Sequence, residues 1–250
     1  MKSSERHHLK ENDLAQSLEQ AREFLGSRGR QLGGLVAAIV VAVLVIAGVV
    51  AFRQRSQSRG EELLAEAMVA LNARVVPPTT EGGAALPAGA EIGATGAFPT
   101  EEAKLNAALP KLKAAADAYP DSPAGIAARY HLAGTLASLG RLPEAVQTFD
   151  DVAKRAGASS LYGQMARLGA ADAQAKAGQT DQAITTWKAL ASESGSDLPV
   201  DAILLELARA YAAKGDAAEA RKTFTRILDE HPDSQYVTDA RSELDRLKGA

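Results

Sequence analysis

The sequence contains no cysteine, and aromatic residues make up only 4% of its 250 residues. The absence of cysteine excludes disulfide bonds, thiolate metal ligands, a cysteine nucleophile and a lipid-modified cysteine anchor. With so few large aromatic side chains, the core must be built mainly from alanine and leucine, which favour helices and are poor strand formers. The composition therefore predicts closely packed helices and an all-α fold.

Histidine is also scarce, with four residues in the chain. His7 and His8 are adjacent and lack a third ligand nearby, and His131 and His231 stand alone. The sequence holds no glycine-rich phosphate loop, serine-nucleophile elbow or zinc-binding helix motif. It therefore predicts a protein that is not an enzyme, with no catalytic residues, no metal site and no cofactor.

The net charge of −3 conceals an uneven distribution. Residues 61–250 carry 26 acidic and 19 basic residues, whereas basic residues flank the apolar segment at 32–52. An acidic soluble part argues against nucleic acid as a partner, because phosphate binding needs a dense basic face. The flanking basic residues are suited to contact anionic lipid head groups.

Residues 32–52 form an apolar run of 21 residues that contains neither charge nor proline. A helix of that length spans roughly 31 Å, close to the hydrocarbon thickness of a bilayer. A buried helix of a soluble protein and a cleaved signal peptide are the alternatives. The run is longer than a signal-peptide core, begins after 31 residues and ends on Phe52-Arg53, which favours an uncleaved transmembrane signal anchor.

Charge says little about orientation, because three arginines lie close before the span and three close after it. The N-terminal arm, residues 1–31, has more basic residues in total, and long domains translocate regardless of charge. This favours a cytoplasmic N-terminus and an extracytoplasmic C-terminal domain; a cytoplasm-facing domain is the alternative. Within the arm, Asp13 can cap an amphipathic helix with a stripe of Leu14, Leu18, Ala21 and Leu25.

The segment after the span divides into three parts. Residues 53–75 predict a membrane-proximal helix, and residues 76–100, with four prolines and several glycines, predict a flexible loop. Residues 101–250 contain self-similar segments with a period of 38 and then 37 residues. In each segment a small residue, a glycine, an alanine and an aromatic recur in register: Ala133, Gly140, Ala145, Phe149; Ala171, Gly178, Ala183, Trp187; and Ala208, Gly215, Ala220, Phe224.

This spacing predicts helical hairpins. The glycine suits the tight turn between two helices, the small residues allow close helix approach, and the aromatic fills the gap against the next hairpin. The pattern resembles the tetratricopeptide repeat. A degenerate unit precedes it, formed by residues 57–75 and a helix ending at Tyr119-Pro120-Asp121-Ser122. That turn recurs at Pro232, followed by a capping helix, so the predicted architecture is a transmembrane helix and an α-solenoid of about three to four hairpins plus a C-terminal cap.

Repeat stacks bind partners, and the first helix of each hairpin lines the concave face. Helical phase places a set of residues there as candidate partner-binding positions: Tyr130, His131, Met165, Leu168, Asp172, Leu205 and Arg209. The set lacks the Lys/Asn cluster with which some such repeats clamp a terminal carboxylate. An apolar or extended segment is therefore a better predicted ligand than an acidic tail.

The layout of arm, single span, emerging helix and small repeat domain resembles the YfgM-like family, ancillary subunits of the bacterial SecYEG translocon. The resemblance implies an inner-membrane protein whose domain lies in the periplasm and meets translocon subunits, a periplasmic chaperone or unfolded client polypeptides. The long proline-rich insertion departs from the compact family pattern. The turns at Pro120 and Pro232 also look like those of outer-membrane-assembly and cell-division coordinator repeat proteins, so an envelope or division scaffold is the alternative.

Overall fold

The structure is a computed structural model that describes residues 38–52, 54–76, 97–193, 195 and 197–249. The chain divides into two compact units, Met1–Arg55 and Ser56–Ala250. The predicted arm at 1–31, the start of the predicted span and residues 77–96 of the predicted loop lie outside the described residues.

The described part of the first unit is helical. The first helix, α1 (Ala38–Leu71), is long and apolar enough to cross a membrane, as judged by its length and composition. Every described side chain between residues 38 and 52 is exposed, Leu44 by 65% and Ile46 by 62%. Transfer of each such side chain from water to an apolar environment is favourable by about 1.5–3 kcal/mol. This segment is therefore suited to an apolar environment.

The second unit is a series of helices, as the composition predicts. After the end of α1 the elements are β1 (Arg74–Val75), β2 (Ala97–Phe98), α2 (Glu101–Ala118), α3 (Pro123–Ser138), α4 (Leu142–Ala156), α5 (Leu161–Lys176), α6 (Thr180–Ala191), α7 (Val200–Ala213), α8 (Ala217–Glu230) and α9 (Val237–Gly249). Each helix from α2 onward packs on the next one in the sequence, and α3 also packs on α5. The prediction of an all-helical repeat stack is confirmed.

The turns within the three hairpins share one geometry. The backbone φ angles of Gly140, Gly178 and Gly215 are 73°, 79° and 82°, values that residues with a side chain rarely adopt. At the first turn, the Gly140 amide donates to the Ala137 carbonyl at 3.1 Å and the next amide donates to the Leu136 carbonyl at 2.9 Å. The same pair of bonds recurs at the other two turns. This is the Schellman arrangement, which satisfies the last carbonyls of a helix.

The repeated small and aromatic residues lie in the core. All six alanines of the repeat pattern are fully buried, and the three aromatics are at most 4% exposed. Phe149 packs against Ala166 and Ala170 of the following hairpin, and Phe224 packs against Ala240 of α9. The aromatic side chains therefore join their own hairpins to the next element. Pro232 lies exposed in the turn that follows α8.

The degenerate first hairpin also forms. Ala67 of α1 is fully buried against Ala108 and Leu112 of α2, and Lys111 pairs with Glu66 at 2.6 Å. Unlike the predicted helix over 53–75, α1 ends at Leu71, and β1 pairs in parallel with β2 through two residues. Val75 and Val76 favour extended backbone, and residue 76 precedes a proline, which disfavours helix there.

Arg129 connects three helices of the stack. The Arg129 side chain is only 9% exposed, and its guanidinium pairs with Asp151 of α4 at 2.8 Å and with Asp117 of α2 at 3.2 Å. It also donates to the backbone carbonyl of Ala116 at 3.1 Å. A buried cation is tolerated when its charge and its donors are satisfied in this way.

Two helix-interior glycines should respond oppositely to alanine. A Cβ on Gly169 would lie 2.6 Å from Phe149 Cζ, whereas a Cβ on Gly134 would meet nothing within 4 Å. We expect Gly169→Ala to cost about 1–3 kcal/mol of unfolding free energy because the Phe149 ring must move. Gly134→Ala should gain up to about 1 kcal/mol from helix propensity. Urea denaturation followed by far-ultraviolet circular dichroism measures both, and a stabilised Gly169→Ala would contradict the packing.

Candidate protein-binding face

The first helices of the hairpins, α3, α5 and α7, carry a set of half-buried and exposed residues, here called the first-helix face: Tyr130, His131, Tyr162, Met165, Leu168, Asp172, Glu206 and Arg209. Its residues interact between one first helix and the next. The rings of Tyr130 on α3 and Tyr162 on α5 lie 5.9 Å apart. The carboxylate of Asp172 acts electrostatically on Tyr130, and that of Glu206 on α7 acts on Asp172.

Tyr130 is the centre of an aromatic cluster in this face. Its ring centroid lies 5.7 Å from that of His131, 5.7 Å from that of Phe149 and 5.9 Å from that of Tyr162, all edge to face. This is the preferred geometry of aromatic pairs. Because the Phe149 ring belongs to the core, its contact with the half-buried Tyr130 ring holds that ring in place.

Burial keeps the two titratable rings neutral. Burial raises the pKa of Tyr130, and electrostatic interactions with Asp172 and Tyr162 raise it further. Burial also lowers the pKa of His131. Both rings are therefore uncharged at neutral pH, and their polar atoms can exchange hydrogen bonds with a partner without carrying charge.

Asp172 is the half-buried carboxylate of the face. Its Oδ1 accepts a hydrogen bond from Trp187 Nε1 at 3.2 Å. Burial raises the pKa of Asp172 and the charge of Glu206 raises it further, whereas the Trp187 hydrogen bond and Lys176 act in the opposite direction. The ionised carboxylate is therefore held at a cost in free energy.

The structure brings most of the predicted partner-binding residues together. Met165 and Leu168 are half-buried and rest on the core around Trp187. Arg209 is exposed and pairs with Glu206 at 3.3 Å and with Asp239 of α9 at 3.2 Å.

Leu205 does not belong to the first-helix face, contrary to the sequence prediction. It is 3% exposed and lies in the core with Phe224 and Ala240. The reason is that α9 lies against this part of α7, where Ala240 shares the core cluster of Leu205 and Asp239 pairs with Arg209. Tyr162 lies on the first-helix face, although the sequence analysis did not predict it. Aromatic residues are scarce in this chain, so an aromatic residue on a first helix could have identified this position.

The raised pKa of Asp172 makes the stability of the fold depend on pH. Because its folded-state pKa is raised above the unfolded value, the folded state binds more protons, so this group makes stability fall as pH rises through that range. We expect Asp172→Asn to be more stable than the wild type at neutral pH and equal to it at strongly acidic pH. Thermal melts across pH measure this, with Asp229→Asn on exposed α8 as the charge-matched control. A destabilised Asp172→Asn at neutral pH would contradict it.

Among the described residues, no group of three or more histidines and carboxylates could hold a metal ion.

A family model, the tetratricopeptide repeat, matches residues 102–160 and 168–235, more than half of the chain. The chain belongs to the tetratricopeptide-repeat family. Tetratricopeptide repeats are interaction modules that bind proteins, and their fold is typically a non-catalytic scaffold. The matched residues run from α2 to α8 with a gap at 161–167, and they include the first-helix face except Tyr162 and Met165.

Solved structures share the tetratricopeptide-repeat fold. One contains the nearly identical TPR-like repeats of a Podosopora anserina protein assigned as a kinesin light chain; it is 19% identical with a TM-score of 0.51, over 58% of this chain and 77% of that one. Another is a tetratricopeptide repeat protein from Parabacteroides merdae, 20% identical with a TM-score of 0.49, over 58% and 54%. No curated protein matches the chain.

Proposed function

We propose that this tetratricopeptide-repeat protein is a non-enzymatic adaptor of the bacterial inner membrane, an accessory subunit of the Sec translocon or of the periplasmic chaperone network. One observation carries the proposal: a single chain combines a helix apolar enough to cross a bilayer with a stack of protein-binding repeats. The same layout is the basis of the resemblance to the YfgM-like translocon subunits.

The physical support lies in how α1 is used. Its apolar part, Ala38 to Phe52, has side chains suited to lipid. Residues 56–71 of α1 belong to the second unit, where Ala67 packs on α2. A binding domain that follows a membrane helix directly in the chain is suited to meet partners that are themselves membrane-bound.

Topology is the first part of the proposal to test. We expect an alkaline phosphatase fused after residue 250 to be active and a green fluorescent protein at the same site to be dark, as for a periplasmic C-terminus. The reverse pattern would place the repeats in the cytoplasm and overturn the proposed orientation.

The partner is tested by gentle detergent extraction and affinity purification of the full chain. Translocon subunits should co-purify, and photo-crosslinking from position 165 on the first-helix face should yield adducts with translocon subunits or secretory clients. A matched crosslinker at Asp229 on exposed α8 should not. Adducts with division or cell-wall synthesis proteins instead would establish the envelope-scaffold alternative.

A further inference from the structure

The first-helix face has more acid than base at its centre. Three carboxylates lie on or beside it, those of Asp172, Glu206 and Asp239, and two cations, Lys176 and Arg209. Arg209 contacts both Glu206 and Asp239 and can neutralise only one of them. Lys176 is exposed and, among the described contacts, forms no ion pair at hydrogen-bond distance. The face therefore keeps an uncompensated negative charge.

Asp172 is the carboxylate for which this imbalance matters most. It is half-buried, and only one of its oxygens has a described hydrogen bond, from Trp187 at 3.2 Å. Burial and the charge of Glu206 both disfavour its ionised form. A cation placed at the other oxygen would relieve both effects, since charges interact more strongly where water is partly excluded.

Apolar surface borders Asp172 on the same face. Leu168 precedes it by one helical turn and is half-buried. Tyr130 lies on the adjoining helix within electrostatic reach, its ring fixed by three aromatic neighbours. A carboxylate beside a rigid ring and an aliphatic side chain matches an arginine or lysine, whose methylene stem is apolar and whose end is charged.

We propose that the first-helix face binds a basic side chain of an extended polypeptide segment, with its cation at Asp172 and its stem on Tyr130 and Leu168. The inference rests on the proposed function and names the chemistry of the partner. An acidic segment is disfavoured here by the excess of carboxylates, and the charge complementarity selects a basic one.

The test uses the full chain in detergent micelles and three fluorescein-labelled peptides of alternating alanine and leucine. Their central residue is arginine, its uncharged isostere citrulline, or glutamate. Fluorescence anisotropy at low salt should show the arginine peptide binding about tenfold more tightly than the citrulline peptide, because it adds a charge-assisted hydrogen bond. The glutamate peptide should bind more weakly than both.

Substitutions locate the effect. Asp172→Asn keeps an oxygen for Trp187 and should remove the preference for arginine over citrulline. Asp229→Asn removes the same charge from the exposed surface of α8 and should leave it unchanged. Tyr130→Ala should weaken the arginine and citrulline peptides alike, and circular dichroism verifies that each variant is folded.

The outcomes separate the two levels of the proposal. Equal binding of the arginine and citrulline peptides, with both weakened by Tyr130→Ala, would overturn the cation site and leave the face as a protein-binding surface. An equal loss in Asp172→Asn and Asp229→Asn would reduce the effect to net charge and also overturn it. If the arginine peptide does not bind, the assignment of this chemistry fails, whereas co-purification with the translocon still tests the proposed function.

Discussion

Gly163→Ala is expected to destabilise the repeat domain by about 3 kcal/mol. A Cβ on Gly163 would lie 2.0 Å from the carbonyl oxygen of Gly157 and 2.8 Å from its carbon. Both atoms belong to the backbone of the turn that links α4 to α5, so a side-chain rotation cannot remove the clash. The turn or the start of α5 must move, and with it the packing between neighbouring hairpins.

The close approach has a local cause. The hydroxyl of Ser160 donates to the Gly157 carbonyl at 2.8 Å and accepts from the Gly163 amide at 3.1 Å, which caps α5 and draws the turn against it. The same arrangement recurs before α3. There Ser122 bonds to the Tyr119 carbonyl and to the Gly125 amide, and a Cβ on Gly125 would also be 2.0 Å from a carbonyl oxygen.

Two variants separate the clash from the cap. Ser160→Ala should cost about 1 kcal/mol, the usual value of an N-cap hydrogen bond. Gly134→Ala adds the same methyl group to a helix interior with open space around it and should not destabilise. Urea denaturation of the three proteins under identical conditions gives the comparison, and a Gly163→Ala variant no less stable than Ser160→Ala would show that the turn can yield.

The repeat architecture follows from local sequence patterns. The turn glycines, the small residues and the aromatics recur at fixed spacing because each hairpin solves the same packing problem, and the structure places all of them in the turns or in the core. The sequence did not predict the pairing of Ser122 with Gly125 and of Ser160 with Gly163 at the starts of α3 and α5. Their role depends on the approach of a carbonyl from the preceding turn, which spacing alone does not reveal.

Features that depend on contacts between distant segments were not predictable. The β1–β2 pair joins residues on either side of the predicted loop, and the Arg129 ion pairs reach 12 and 22 residues along the chain. Leu205 was misplaced because helical phase gives the direction of a side chain but not the neighbour that covers it. The candidate face was therefore located approximately, and its chemistry needed the structure.

Trp187 connects the core to that face, and Trp187→Ala is expected to cost about 4 kcal/mol. The side chain is 2% exposed and packs with Ile203 and Leu207 of the following hairpin. Alanine would leave a cavity between the second and third hairpins and would remove the hydrogen bond to Asp172. Because a repeat stack is held by contacts between neighbours, the loss should also broaden the unfolding transition.

Trp187→Phe separates the contribution of packing from that of the hydrogen bond to Asp172. Phenylalanine keeps most of the packing but cannot donate to Asp172, and since that hydrogen bond lowers the pKa of Asp172, its loss should raise this pKa further. A carboxyl group whose pKa is raised in the folded state makes the protein less stable as pH rises. Trp187→Phe should therefore be nearly as stable as the wild type at acidic pH and less stable than it at neutral pH. Denaturation followed by circular dichroism at both pH values measures this difference. Adding Asp172→Asn should abolish the pH dependence of the deficit; if the deficit of Trp187→Phe is the same at both pH values, the indole acts on stability through packing alone.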